Sequence, residues 1–412
     1  MKPFQTLLLL VVIVLIGGLG FMYWANSVDQ VVEPIEVVDS DDDAISPEPV
    51  EGENLDPGSY LIFQSIRTSH EGQQDWANDD TEEYTFYRML VGDDTLVPFA
   101  TIEHGPELGG GLTSYIFGQD ILMHRYQTSR VYDAVDGRPG EGEELDAIMS
   151  LTGEILETRP ENWGTFRSAN DRFEVTYDFP PSRKETDGTV TIKDTQTGEI
   201  VKSLSLSLDS GEVGNPEPYS IDNSGTYLYV HQVCGCEATL AGLWEVNLET
   251  GEAQALHELV DIQAWSQTDI DPEARRLLVI QTEREPSTLG PGEDLLPPTT
   301  IQLLDLTTGE VKDLYTSDSE AFDHPYLDPS GEEQYLLRPW EEGNRVVLFP
   351  FEMNDAPEEL VDGWVQDWVG DWLVLGDGNS TSVFNMETRE TTTIDLPEGA
   401  ERFEYVGSVV IE

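Results

Sequence analysis

One short unit recurs along this chain: a strand, a turn written around Thr-Gly-Glu, and a second strand. Clear copies are VTIKDTQTGEIVKSL (190–204), LWEVNLETGEAQAL (243–256) and IQLLDLTTGEVKDL (301–314). Weaker ones are AIMSLTGEILET (147–158), LFPFEMNDAPEELV (348–361) and VFNMETRETTTIDL (383–396). Glycine accepts a positive φ, Asp and Thr side chains bond the turn backbone, and the flanking runs become antiparallel partners. A period of roughly 45–60 residues points to a repeat architecture.

A second motif precedes each copy: a short strand, a D-x-x-G-like turn and a strong strand. It reads YSIDNSGTYLYVHQ (219–232), TDIDPEARRLLVIQ (268–281) and YLDPSGEEQYLLRP (326–339). Looser copies are YIFGQDILMHR (115–125), FRSANDRFEVTYDF (166–179) and WVGDWLVLG (368–376), while LDPGSYLIFQS (55–65) begins at the turn. No long segment carries the 3.6-residue period of a helix after Ser59. The expected fold is all-β: a β-propeller of about seven four-stranded blades over 59–412. The turns Asp328-Pro329-Ser330-Gly331 and Asp-x-x-Thr-Gly carry a resemblance to TolB-type and related WD-repeat-like bacterial propellers. At Pro272 the Asp-Pro is kept, but Ala274 stands where the Gly would be.

The first unit lacks its innermost strand, and the chain ends on an orphan strand pair, ERFEYVGSVVIE (401–412). Closing a ring from both termini leaves no open sheet edge. Part of 402–411 is therefore expected beside Tyr60–Arg67.

The start of the chain concerns address. Residues 1–5 read as a cytoplasmic N-terminus. The uncharged run from Thr6 to Ala25 is long enough for a transmembrane signal-anchor helix. Lys2 is the only basic residue before Arg67, which keeps the N-terminus inside and exports the rest. The alternative is a signal peptide cleaved near Ala25-Asn26-Ser27. Either places the remainder at the cell surface or in the periplasm, and the anchor makes the membrane itself a partner. Residues 26–58 hold four Pro and the run Asp39–Asp43 with no basic residue, which reads as a disordered acidic linker.

Charge narrows the function. The 412 residues carry 21 Lys+Arg against 81 Asp+Glu, a formal net charge of −60. Such a surface repels phosphates, so nucleic acid is excluded as a partner. Three sources of the acidity stay open: a salt-rich habitat that screens self-repulsion, multivalent cation binding, or a general low-pI bias.

If the strands of a blade are a to d from the axis outward, the long insertions His70–Glu82, Thr128–Glu144, Pro180–Gly188, Gln232–Gly242 and Glu283–Pro298 all fall between b and c. Loops of one type emerge on one face, where binding commonly resides. The candidate binding residues on that face are Trp76, Tyr132, Arg138, Arg183, Lys184 and His231. Cys234-Gly235-Cys236 lies there too, and outside the cytoplasm an oxidised pair is one reading. Free thiols, or a soft metal site adding His231, are the others.

No catalytic signature stands out, and no cofactor is implied. Gly109-Gly110-Gly111 lacks the Lys-Ser/Thr of a phosphate loop, and Asp261 occupies the second-His position of a zincin pattern begun by His257-Glu258. Trp364, Trp368 and Trp372 share a period of four, with Gly370-Asp371 as a hairpin turn between strands. That expects Trp368 and Trp372 packed between blades, the alternative being a surface aromatic platform. The leading expectation is a non-catalytic platform for an envelope or surface protein. The alternative is an extracytoplasmic hydrolase or lyase acting at the central channel. Oligomeric state is not legible.

Overall fold

The computed structural model describes residues 55–69, 81–93, 95–104, 112–127, 144–160, 162, 164–178, 188–206, 216–234, 239–260, 267–282, 299–318, 320, 322–339, 345–352, 357–376 and 380–411. The expected anchor over 6–25 and all but the last residues of the linker lie outside them. Among the described residues, no helix is long and apolar enough to cross a membrane.

Among the described residues, twenty-eight strands form seven four-stranded antiparallel sheets. Blade 1 contains β1 (Gly58–Ser69), β2 (Thr81–Leu90) and β3 (Val97–His104). Blade 2 is β4 (Thr113–Phe117), β5 (Asp120–Gln127), β6 (Glu144–Met149) and β7 (Ile155–Pro160). Blade 3 is β8 (Thr165–Arg167), β9 (Phe173–Asp178), β10 (Gly188–Asp194) and β11 (Ile200–Leu206). Blade 4 is β12 (Pro216–Ile221), β13 (Tyr227–Cys234), β14 (Thr239–Asn247) and β15 (Ala253–Ala255). Blade 5 is β16 (Gln267–Asp271), β17 (Arg276–Thr282), β18 (Thr299–Asp305) and β19 (Val311–Ser317). Blade 6 is β20 (Phe322–Leu327), β21 (Gln334–Pro339), β22 (Arg345–Pro350) and β23 (Glu358–Asp362). Blade 7 is β24 (Trp364–Val369), β25 (Trp372–Gly376), β26 (Thr381–Asn385) and β27 (Thr391–Ile394).

The last strand, β28 (Arg402–Ile411), becomes the first strand of blade 1, in the order β28-β1-β2-β3. It pairs from Gly58↔Ile411 to Ile66↔Arg402, as expected for the closing segment. The segment is one strand rather than a pair. Gly407 sits at an irregularity of the ladder instead of at a reversal, and a Cβ there would lie 2.5 Å from Ile116.

The turns follow from the motifs. Between β10 and β11, Asp194 Oδ1 accepts from the Thr197 amide and the Gly198 N–H donates to Asp194 O. Asn247, Asp305 and Asn385 repeat this with Thr250, Thr308 and Thr388. Gly198, Gly251 and Gly309 take φ near +75°, and Arg389 takes the same place in blade 7 at +63°. In blade 5 the missing glycine moves the left-handed residue on by one. Ala274 carries a Cβ, and Arg275 adopts φ +53° instead.

Strands alternate between two faces of each sheet, and both faces are covered by neighbouring blades, so the core lies in the seams. Tyr335, Phe349 and Leu337 of blade 6 pack with Leu278, Ile280 and Ile301 of blade 5. Fully burying one such side chain contributes about 2 kcal/mol. Trp368 packs between blades 6 and 7, and Trp372 between blades 7 and 1. The seam between blades 2 and 3 is polar by comparison. Arg167 lies 4.3 Å over the Phe117 ring and pairs with Asp171 and Glu174.

Candidate functional site

The first strands of successive blades pack against one another, which makes them the inner ring. Each starts at the end of the blade where strand b finishes. That is the end from which the b–c connections leave. Four of the five long insertions expected from the sequence fall in these connections, between β1 and β2, β5 and β6, β9 and β10, and β17 and β18. The fifth, Gln232–Gly242, is mostly strand: β13 runs to Cys234 and β14 starts at Thr239, paired across a connection of four residues. The D-x-x-G and Thr-Gly-Glu turns all lie at the opposite end.

Blade 6 places a polar cluster at the loop end of the inner ring. Asp323 and His324 open β20, and Asp323 stands opposite Arg338 near the end of β21. Asp323 is almost fully buried. It accepts from Arg338 Nε at 2.8 Å and also from Nη2, a two-pronged ion pair. Burial pushes the Asp323 carboxyl up, but the hydrogen bonds from Arg338 and His324 outweigh it and the net shift is down. The ladder slips between Asp323 and Tyr326, and within the slip His324 takes φ +52°. An irregularity of this kind re-aims a side chain, and a left-handed non-glycine persists only where its surroundings hold it. Here the His324 amide donates to Gln267 Oε1 of blade 5.

Blade 7 completes the cluster. Trp364, at the start of β24, is 43% exposed. Its ring carries the Arg338 guanidinium at 4.0 Å and meets the His324 ring edge-on at 4.6 Å. The recess among them is about 10 Å³, room for a single water molecule. Beneath it, the Tyr326 hydroxyl donates to Val365 O at 2.8 Å. Burial, then the charges of Asp269 and Asp367, push Tyr326 up to about 12. Asp269 of β16 accepts from the Leu327 amide at 2.6 Å. Burial raises its carboxyl to about 6, with backbone donors opposing. Asp367 of β24 accepts from Tyr405 and Ser408 of β28, tying blade 7 to the closing strand.

A second polar line crosses blade 2. The Tyr115 hydroxyl meets His124 Nε2, and His124 Nδ1 meets Asp146 Oδ1. The Asp146 Oδ2 accepts from the Asn162 amide at 2.9 Å. His124 and Asp146 are fully buried, so this line joins β4, β5 and β6 inside the blade.

Of the residues singled out in the sequence, His231 is described. It lies on β13 near the loop end, stacked on Tyr219 of β12 at 4.7 Å, with Nε2 3.9 Å from Glu217. Cys234 ends β13 opposite Thr239. Cys236, Trp76, Tyr132, Arg138, Arg183 and Lys184 lie outside the described residues, and so does the pairing of the two cysteines. Asp323, His324 and Arg338 were not singled out. Their shared place depends on a strand register and a neighbouring blade. The signal available was His-Pro inside a first strand, where a ladder is prone to slip. His257, the zincin-like His, sits in a short 3-10 turn (Leu256–Glu258), with Nδ1 3.0 Å from Leu243 O.

No protein-family model matches the chain, and no curated protein does. Among solved structures it is similar to an oligogalacturonate lyase in complex with manganese, at 13% identity over 70% of this chain and 87% of that one, with a TM-score of 0.41. The β-propeller domain of the Trilobed protease from Pyrococcus furiosus gives 13% identity, 69% and 84% coverage and a TM-score of 0.45. TolB from Acinetobacter baumannii gives 13%, 84% and 82%, and 0.37. These likenesses concern the fold alone. The sheet topology itself makes the described residues a seven-bladed β-propeller, in line with the resemblance carried by the turn motifs.

Proposed function

We propose that this protein is an exported, membrane-anchored, non-catalytic platform that binds an envelope or surface protein through the b–c end of its propeller. One observation carries the reading. Four blades spend long insertions on the same end of the ring, while the other end keeps hydrogen-bonded turns. Insertions at one end of a rigid scaffold build a recognition surface. The exposed Trp364 supplies an aromatic anchor at that end, a residue type that dominates binding energy at interfaces. Crosslinking and pull-down from native membranes tests this. The wild-type chain captures a defined partner, and the partner is lost when the b–c insertions are replaced by short Gly-Ser linkers or when Trp364 becomes Ala. Undiminished capture by the loop-replaced chain sinks the proposal.

The second reading, a hydrolase or lyase at the axis, is favoured by the strained His324 beside the Asp323–Arg338 pair. The recess there has room for a single water molecule, and Arg338 is already committed to Asp323. These facts favour the platform.

A further inference from the structure

A cavity of about 320 Å³ lies at the turn end of the seam between blades 7 and 1, away from the loops and the blade 6 cluster. Blade 1 contributes Met89, Gly92 and Asp93, and blade 7 contributes Trp372, Val383 and Thr392. Met89 and Val383 lie beneath it in the packed seam, both 3% exposed, so they offer the cavity little surface. One wall is the half-buried Trp372 indole. The rim holds the exposed Gly92, Asp93 and Thr392. Gly92 takes φ +95° in the turn after β2, and a Cβ there would come within 3.9 Å of the Trp372 ring.

The lining sets the chemistry of an occupant. Among the described residues it has one carboxylate, one hydroxyl, an aromatic wall and no basic group. An indole attracts a cation through the negative face of its ring, and a carboxylate adds direct charge attraction. The net charge of −60 raises the local concentration of cations over the whole surface. The indole wall favours a cation on a compact hydrocarbon body over a metal ion, which would have to give up its water to meet the ring. We propose that this cavity binds a small, free organic ammonium ion, its head between the Trp372 indole and the Asp93 carboxylate. Because the lining comes from the last blade and the closing one, an occupant would also brace the joint of the ring.

The test uses the full chain, with choline chloride exchanged for sodium chloride at constant ionic strength. Saturation-transfer NMR gives the affinity and thermal melting gives the brace. Choline is expected to bind and to raise the melting temperature. The compound 3,3-dimethylbutan-1-ol has nearly the same shape without the charge, and is expected to bind about tenfold more weakly. Trp372→Leu should weaken choline about tenfold, Trp372→Phe less, and Asp93→Asn about fivefold. Asp93 is exposed, so its variant remains informative if Trp372→Leu fails to fold. Equal affinity for the neutral alcohol, wild-type choline affinity in the Asp93→Asn chain, or no choline binding at all would each overturn the proposal.

Discussion

The two ends of this ring are built on opposite plans. At the turn end, side chains from the turns themselves satisfy the backbone, blade after blade. Asp222 Oδ1 accepts from the Thr226 and Tyr227 amides, both at 2.7 Å, and Asp305 Oδ1 from Thr307 and Thr308, both at 2.8 Å. Neighbouring turns also join hands, as the Asn170 amide donates to Asn223 Oδ1 and the Asn223 amide to Glu273 Oε1. At the loop end the b–c connections vary in length, and near the axis Asp323, His324, Arg338 and Trp364 meet. The difference shows where the sequence is free to change. Turns that hold the blades admit little variation, whereas the loop end tolerates insertion at small entropic cost.

The sharpest way to break this comparison is to remove the ion pair at the loop end. Arg338→Met leaves Asp323 buried without its partner, and unfolding free energy should fall by about 3–5 kcal/mol. Adding Asp323→Leu removes the orphaned charge and should restore much of that loss. Equal destabilisation in the single and double variants, measured by chemical denaturation, would show that the pair is not what holds the axis together.

A milder contrast sets the two ends against each other directly. Asp222→Ala deprives two amides of an acceptor and should cost about 1–3 kcal/mol. Replacing residues 283–298 by a short Gly-Ser linker should shift stability by less than about 1 kcal/mol. If the loop replacement proves the more damaging of the two, the division of labour between the ends is wrong.

What could be read from the chain alone divides along the same line. Local chemistry was legible. Asp or Asn followed by Thr and Gly specifies a turn through bonds spanning a few residues, and with the D-x-x-G-like turns the pattern counts about seven units, which imply a ring. The closing strand was legible because blade 1 lacked a partner for Tyr60–Arg67. The blade 6 cluster was not. Asp323 and Arg338 meet only after a bulged register is set, and Trp364 arrives from the next blade. The Tyr115–His124–Asp146 line is hidden for the same reason, since its members sit on three different strands. Arg275 shows a subtler limit. The absence of Gly beside Ala274 was visible, but not that the left-handed conformation would pass to the next residue and place its guanidinium 3.8 Å over Tyr227 and 2.7 Å from Glu245.

The smallest expected effect lies in the inner ring between the two ends, and it is read through pH. Burial lifts the Asp269 carboxyl from an ordinary 3.8 to about 6. Asp120, in the polar seam of blades 2 and 3, is lifted to about 6 by burial, with Arg167 opposing and Asp171 adding. A folded carboxyl of this kind holds its proton where the unfolded chain has already released it. Its contribution to stability is therefore full below about pH 4 and is lost as pH rises through about 6. Stability should thus fall from pH 5 to pH 7, by about 1 kcal/mol for Asp269 alone. Falling self-repulsion among the many carboxylates acts in the same direction on the acid side. Asp269→Asn separates the two contributions, because the amide does not titrate. Its absolute stability should drop, since the Leu327 and Ile270 amides both bond Asp269 and an amide oxygen serves one of them well. The gap between variant and wild type should nevertheless narrow from pH 5 to pH 7 at constant ionic strength. A gap of constant size would mean that Asp269 is ionised throughout that range, and that the inner ring carries its charge without a proton.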